Sequence, residues 1–358
     1  MSTHDLFTTP VHEMSWKVPS SYDTVFNWEY DDGRDRLLSL YSKGKQKQWD
    51  SDARIDWSLD VDPENPAQIP DEYNLGIYGT DLYNRMTEKE KAEARLHAEA
   101  WRVSQFMHGE QGALICASKI VQSVPDIDAK FYAATQVMDE ARHVEVFSRY
   151  LHEKVKLVYP LNPNLKELLR QVIEDSRWDF TYLGMQVLIE GLALAAFSLF
   201  RDRAVHPLAS SINAYVMQDE ARHVAFGRLA LRDYYPQLTE AERDEREQFV
   251  VEACYLMRNR FTSGEVWANL GLPVREAVAA QDRSDRMQFY RRLLFSRIVP
   301  IVKDIGLWGD RVQKAYADMG VLDLADTNPD EATQVDEAIA AQFDERRTQV
   351  AATIAAGS

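Results

Sequence analysis

Residues 138–147, Met-Asp-Glu-Ala-Arg-His-Val-Glu-Val-Phe, put acids, an arginine and a histidine into a stretch whose flanks repeat apolar residues at helical spacing. Charge in such a stretch is expected to be buried, and buried charge needs a partner. The six residues Asp139–Val144 recur letter for letter at Asp219–Val224, an offset of 80. The same shift lays Glu110 on Glu190, each a solitary acid in an apolar run. Positions i and i+3 share one face of a helix, so Glu140 with His143, and Glu220 with His223, project side by side. Four segments therefore offer four carboxylates and two imidazoles to one place. Without countercharge most of those carboxylates would take up protons on burial. Two divalent cations neutralise them, and neutral imidazoles complete the coordination without adding charge. Oxygen and nitrogen donors without thiolate suit iron or manganese better than a soft metal. One Glu-x-x-His arises by chance in a chain of this composition. Two, in identical hexapeptides and each matched to a lone Glu at equal separation, form a specific signal.

Helices must bring these side chains together. The 358 residues include only 15 Gly and 13 Pro, which fall between long stretches of 3.6-residue periodicity, and alternating strand patterns are absent. Thr87-Glu-Lys-Glu90 is a capping box opening a helix that runs to about Val124. A second helix is expected from Asp126 or Asp128 to Leu157, a third from Asn164 to Asp202 with a kink near Ser176, and a fourth from Pro207 to the Tyr234-Tyr-Pro236 run. Thr239-Glu-Ala-Glu242 opens a fifth, Arg275–Asp304 carries at least one more, and residues 329–358 read as a peripheral helix. The expected architecture is all-α: a four-helix bundle core over 71–235, a wrapping segment over 1–70 with one helix at Asp35–Gln48, and helices over 236–358 packed on the bundle. These parts read as a single domain.

Composition narrows the partners. A formal charge of −16 argues against nucleic acid and anionic membrane surfaces. The best apolar tract, Gly191–Phe200, is half a bilayer long and reads as a core helix. The first residues lack the layout of a signal peptide, and Cys116 and Cys254 are the only cysteines, so a cytoplasmic, reducing location is expected.

The doubled Asp-Glu-x-Arg-His with its paired lone Glu resembles the ferritin-like di-iron carboxylate superfamily, in the branch of ribonucleotide reductase small subunits and bacterial di-iron monooxygenases. The likeness covers residues 40–230. It implies that Glu110, Glu140 and His143 hold one metal and Glu190, Glu220 and His223 the other, with some acids bridging. It also implies that Asp139 orients His223 and Asp219 orients His143, with Arg142 and Arg222 paired to nearby acids. In Lys45-Gln-Lys-Gln-Trp49, Trp49 matches a Trp that bonds the second-motif Asp and conducts electrons. The implied cofactors are two metal ions, Fe/Fe or Mn/Fe, with O2 as co-substrate. One helical turn from the ligands, Phe106, Leu114, Phe147, Gln186, Leu194, Phe197 and Val216 are expected to line an apolar chamber.

Departures from the relatives bear on function. Phe147 stands where radical-generating small subunits commonly carry Tyr, and no tyrosine follows Tyr316. Leu194 replaces the Thr of many hydroxylases, and Val216 replaces an extra His of the aryl-amine oxygenases. The favoured expectation is a di-iron or Mn/Fe oxygenase or oxidase that acts on an organic small molecule by hydroxylation, N-oxygenation or desaturation. It draws electrons from an external donor such as ferredoxin or a reductase and works as a homodimer. A radical-generating subunit and a ferroxidase are the alternatives.

Overall fold

The structure is a computed structural model that describes residues 16–339 apart from 29, 31–34, 333 and 337; among these no β-strand occurs. Helix α1 (Asp35–Gln46) lies across the helices that follow. Helix α2 (Glu88–Ser123) opens at Thr87, whose hydroxyl accepts from the Glu90 amide while the Glu90 carboxylate accepts from the Thr87 amide at 2.7 Å. Two amides left over by the helix are satisfied reciprocally. Helix α3 (Ile127–Arg149), capped by Asp126, runs into a π turn at Tyr150–Val155 that stops at Lys156 with φ 59°. Helices α4 (Pro163–Glu174), α5 (Trp178–Arg203), α6 (Pro207–Tyr234) and α7 (Glu240–Asn259) follow, and a second capping box at Thr239 opens α7.

The expected helix from Asn164 to Asp202 is two helices, α4 (Pro163–Glu174) and α5 (Trp178–Arg203). Asp175 breaks the run because its carboxylate accepts from the Arg177 amide at 2.9 Å, a local bond that competes with helix continuation. Lys119 reaches over from α2 and donates to the carbonyls of Val172 at 3.2 Å and Ile173 at 3.1 Å, which satisfies the end of α4. Within α5, Tyr182–Ile189 is wound as a π-helix and buried at every position. Helix α5 is long and apolar enough to cross a membrane, but here it is mostly buried inside the bundle. The stretch Arg275–Asp304, expected to carry at least one helix, carries three: α9 (Val274–Arg283), α10 (Asp285–Phe295) and α11 (Val299–Asp304), after a short α8 (Gly264–Asn269). Ser284 caps α10 by accepting from the Met287 amide at 3.1 Å, so the chain restarts there. Helix α12 (Asp310–Asp318) packs on α7, and of the helix expected over 329–358 the described residues 329–332, 334–336 and 338–339 are helical while the rest lies outside the described residues.

Helices α2 and α3 pair along their length, as do α5 and α6, and the two pairs face each other around one continuous apolar core. Gly227 on α6 sets the closest approach. A Cβ there would meet the Gln186 Cβ at 2.5 Å, so only glycine lets α6 lie against the π segment. Gly227→Val is expected to overpack this contact and cost about 1–3 kcal/mol, read as a lower melting temperature. An unchanged melting temperature would show slack between the two helices.

Candidate metal centre

The four long helices turn six side chains inward: Glu110 from α2, Glu140 and His143 from α3, Glu190 from α5, Glu220 and His223 from α6. None is more than 5% exposed. Donor atoms of Glu110, Glu140, His143 and Glu220 lie within 4.8 Å of one another, and so do those of Glu140, Glu190 and His223. Glu140 serves both groups, its Oε2 3.3 Å from His143 Nδ1 and its Oε1 3.1 Å from His223 Nδ1. Glu220 Oε1 is 3.2 Å from His143 Nδ1 and 3.5 Å from His223 Nδ1, so it faces both histidines and stands with the His143 group. The two imidazoles are tilted neighbours with centroids 5.9 Å apart.

A second layer crosses between the repeats. His143 Nε2 lies 3.1 Å from Asp219, and His223 Nε2 lies 3.2 Å from Asp139. Arg142 donates to Asp139 at 2.5 Å and to Asp219 at 2.9 Å; Arg222 donates to Asp219 and, at 3.4 Å, to Asp139. Two guanidinium groups thus balance two aspartates in the bundle interior. The chain after α1 closes this layer: Trp49 Nε1 donates to Asp219 at 2.8 Å, and Gln48 donates to Asp139 at 2.6 Å and accepts from Arg142 at 2.7 Å. The imidazole Nε2 atoms are held outward and the Nδ1 atoms face the carboxylates, which fixes both rings.

This donor set fits a metal pair. Among the described residues, Glu140 Oε2, Glu190 Oε2, both oxygens of Glu220 and His223 Nδ1 make no hydrogen bond although buried. Buried polar atoms nearly always find a partner, and five orphaned donors converging on two points are what cations would satisfy. Burial, and then the charge of Glu220, push the Glu110 carboxyl well above its usual range; burial and Glu140 do the same to Glu190. Burial also acts to raise Glu140, but the neighbouring His223 and His143 override it and hold it low. Burial acts to lower both histidines; Asp219 and Glu110 override it at His143, and Glu140 does so at His223, so both are raised.

These shifts set a pH dependence. The raised carboxyls of Glu110 and Glu190 stabilise the metal-stripped fold fully below their unfolded value near 4.5 and lose that contribution as pH rises through the folded values. The raised histidines contribute below their unfolded value near 6.5 and likewise lose it on going up. The depressed Glu140 and Asp219 matter only in acid, where their contribution disappears. The stripped protein is therefore expected to melt at a lower temperature at about pH 9 than at about pH 6, while metal affinity rises over the same range because metal displaces the protons. Thermal melts with and without metal at both pH values check this.

Phe106, Phe147 and Phe197 form one aromatic cluster, with centroids 5.6 Å (Phe106–Phe147), 4.7 Å (Phe106–Phe197) and 5.6 Å (Phe147–Phe197) apart. Val216 and Leu194 are buried nearby in sequence to the ligands, on α6 and α5. Phe200 continues the cluster at 5.9 Å from Phe106 and lines a cavity of about 180 Å³ with Trp101, Arg102, Phe261 and Tyr290. Leu114 is not part of this chamber. It is half-buried in a surface groove on the outer side of α2 with Trp16, Val18, His108 and Ile115. At about 100° per residue Leu114 lies about 40° past the Glu110 direction, on the side of the outer groove, while Ala113, about 60° short of it, is buried. Gln186 is fully buried, and neither amide atom makes a hydrogen bond among the described residues. Sequence reasoning missed Gln136 on α3, whose amide donates to Glu140 at 3.0 Å and to Glu190 at 2.9 Å. Its place one turn before Glu140 was the available signal.

Residues 31–306 match the family model of the p-aminobenzoate N-oxygenase AurF, and the chain belongs to that family. It is accordingly a dimetal oxidoreductase that uses two metal ions and O2 on a small molecule. Among solved structures, it is similar to a variant of an R2-like ligand-binding oxidase with aerobically reconstituted Mn/Fe cofactor, at 17% identity and a TM-score of 0.50, over 78% of this chain and 95% of that one. That likeness shows the ferritin-like helical fold. Protein 19 with aldehyde deformylating oxidase activity from Synechococcus is similar at 16% identity and a TM-score of 0.46, over 65% of this chain and all (100%) of that one. No curated protein sequence matches the chain. Val216, where the sequence departs from aryl-amine oxygenases, leaves the family membership intact.

Proposed function

We propose that Glu110, Glu140, His143 and Glu220 hold one ion, and Glu140, Glu190 and His223 the other, in an enzyme that oxygenates the nitrogen of a small aromatic amine. The observation that carries the ligand assignment is the convergence of orphaned carboxylate oxygens and His223 Nδ1 between four helices. When bound, the reduced metal pair supplies electrons for O2 activation. The residues around it do the rest. Asp139 and Asp219 hold the imidazoles in one tautomer and angle. Phe106, Phe147 and Phe197 exclude water and offer ring faces to an aromatic substrate. The cavity beyond Phe200 is the route by which the substrate approaches. Family membership supports nitrogen as the reacting atom.

Trp49, half-buried and bonded to Asp219, gives electrons from an external donor such as ferredoxin or a reductase a path to His143. Buried, unpaired Cys116 and Cys254 support a cytoplasmic site of action. Exposed Ile115, Phe131 and Met138 on α2 and α3 support a homodimer. The test is turnover by the Fe(II)-reconstituted protein, with a chemical reductant and O2, on p-aminobenzoate, aniline and toluene. Hydroxylamino or nitro products from the amines are expected. Oxygen inserted only into carbon would overturn the assignment of nitrogen.

A further inference from the structure

The internal repeat is strict at the ligands and broken around them. The shift that superimposes the two hexapeptides lays Phe106 on Gln186, Phe147 on Gly227 and Gln136 on Val216. One end of the bundle is therefore aromatic and the other carries amides. Of these amides, Gln136 alone touches the metal-binding carboxylates. Its Nε2 donates to Glu140 Oε1 and to Glu190 Oε1, while Val216 has no hydrogen-bonding group to offer Glu220 or Glu110. Both oxygens that Gln136 touches belong to the His223 side: Glu140 Oε1 is 3.1 Å from His223 Nδ1, whereas the Oε2 that faces His143 is left untouched. Gln136 is itself fully buried.

We propose that Gln136 is a positioning residue that makes the two metal positions unequal. This rests on the ligand assignment above. Its amide holds Glu140 Oε1 beside His223 Nδ1, and by holding Glu190 Oε1 it turns the free Glu190 Oε2 toward the same nitrogen, 4.0 Å away, so both carboxylates are set at the His223 position. A carboxylate has lone pairs to spare, so a single N–H bond orients it without blocking metal. The His143 position needs no such device, because four ligand groups already converge there against three at the His223 position. The His223 position therefore depends on Gln136, and the His143 position does not.

The experiment is an anaerobic titration of metal-stripped, full-length protein with Mn(II), the free ion followed by EPR. The variants are Gln136→Met, which keeps length without a donor, and Gln136→Val, which copies Val216. Wild-type protein is expected to take two ions per chain. In both variants one ion is expected to stay within about threefold of wild type, while the other weakens by about 10- to 100-fold, the usual effect of removing a residue that orients ligands. In a Glu190→Ala background, which keeps only the His143 position, Gln136→Met is expected to change nothing further. A general packing defect would weaken both ions together, or weaken the one that remains in that background. Either of these results, or two undisturbed ions in the variants, overturns the proposal. Wild-type protein that takes no Mn(II) would sink the ligand assignment itself, a different failure.

Discussion

Replacing Glu140 by alanine removes both metal ions from the purified protein, because this carboxylate is the one side chain that contributes an oxygen to each group of donors. Metal content is expected to fall below a tenth of wild type, and turnover by about 10³-fold or more. The stripped variant loses the carboxylate that both buried histidines face and melts lower than the stripped parent, while the helices, held by the apolar core, persist. Far-UV circular dichroism of the stripped variant is expected to match the stripped parent. Removing Glu110 or Glu190, which stand in one group each, is expected to cost one ion first. A Glu140→Ala protein that still holds two ions would mean that the cluster is not what binds them.

The second large effect is at Asp219. Its carboxylate takes hydrogen bonds from Trp49, Arg142 and Arg222 and meets His143 Nε2, all in a space where it is only 1% exposed. Burial opposes ionisation there, but Arg222, His143 and Arg142 override it and hold the carboxyl well below the ordinary aspartate range. Asp219→Asn preserves shape and removes the charge that two buried guanidiniums face. It also turns a donor toward donors. The expected cost is about 3–5 kcal/mol of stability, the range for breaking a buried ion pair from one side. Metal affinity is expected to drop by about 10- to 100-fold through the freed His143 ring. Thermal melting and a metal titration read the two effects separately. Asp139→Asn, with one indole contact fewer, is expected to be milder. A melting temperature unmoved by Asp219→Asn would show that the aspartate carries no load.

The site was more legible than the scaffold around it. The six ligand candidates stand out because Glu and His are rare in apolar helical runs, and because the hexapeptide repeats unaltered. The two capping boxes were readable as well, since Thr87 with Glu90 and Thr239 with Glu242 are local, self-contained chemistry. The π segment Tyr182–Ile189 was not. It is buried at every position, so no periodicity reports its register, and the close approach of Gly227 on α6 to Gln186 is a tertiary contact that local sequence does not show. The kink expected near Ser176 is in place but is a full break, since Lys119 from another helix satisfies the end of α4 beside the local Asp175–Arg177 bond, and the breaks near Ser284 and Pro300 sit in weakly patterned sequence. Leu114 lies outside the chamber because spacing places it near Glu110 on α2 without telling which way that helix is rotated against its neighbours. Gln136 and Gln48 escaped notice because a glutamine in a helix looks like any other polar residue until its partners are in place.

The most direct measurement of a pair of ions among these side chains is anomalous X-ray diffraction from iron-loaded crystals collected across the iron edge. Two peaks per chain are expected between α2, α3, α5 and α6, with Glu140 touching both and His143 and His223 one each. A single peak, or peaks anywhere outside those six side chains, would contradict the paired site.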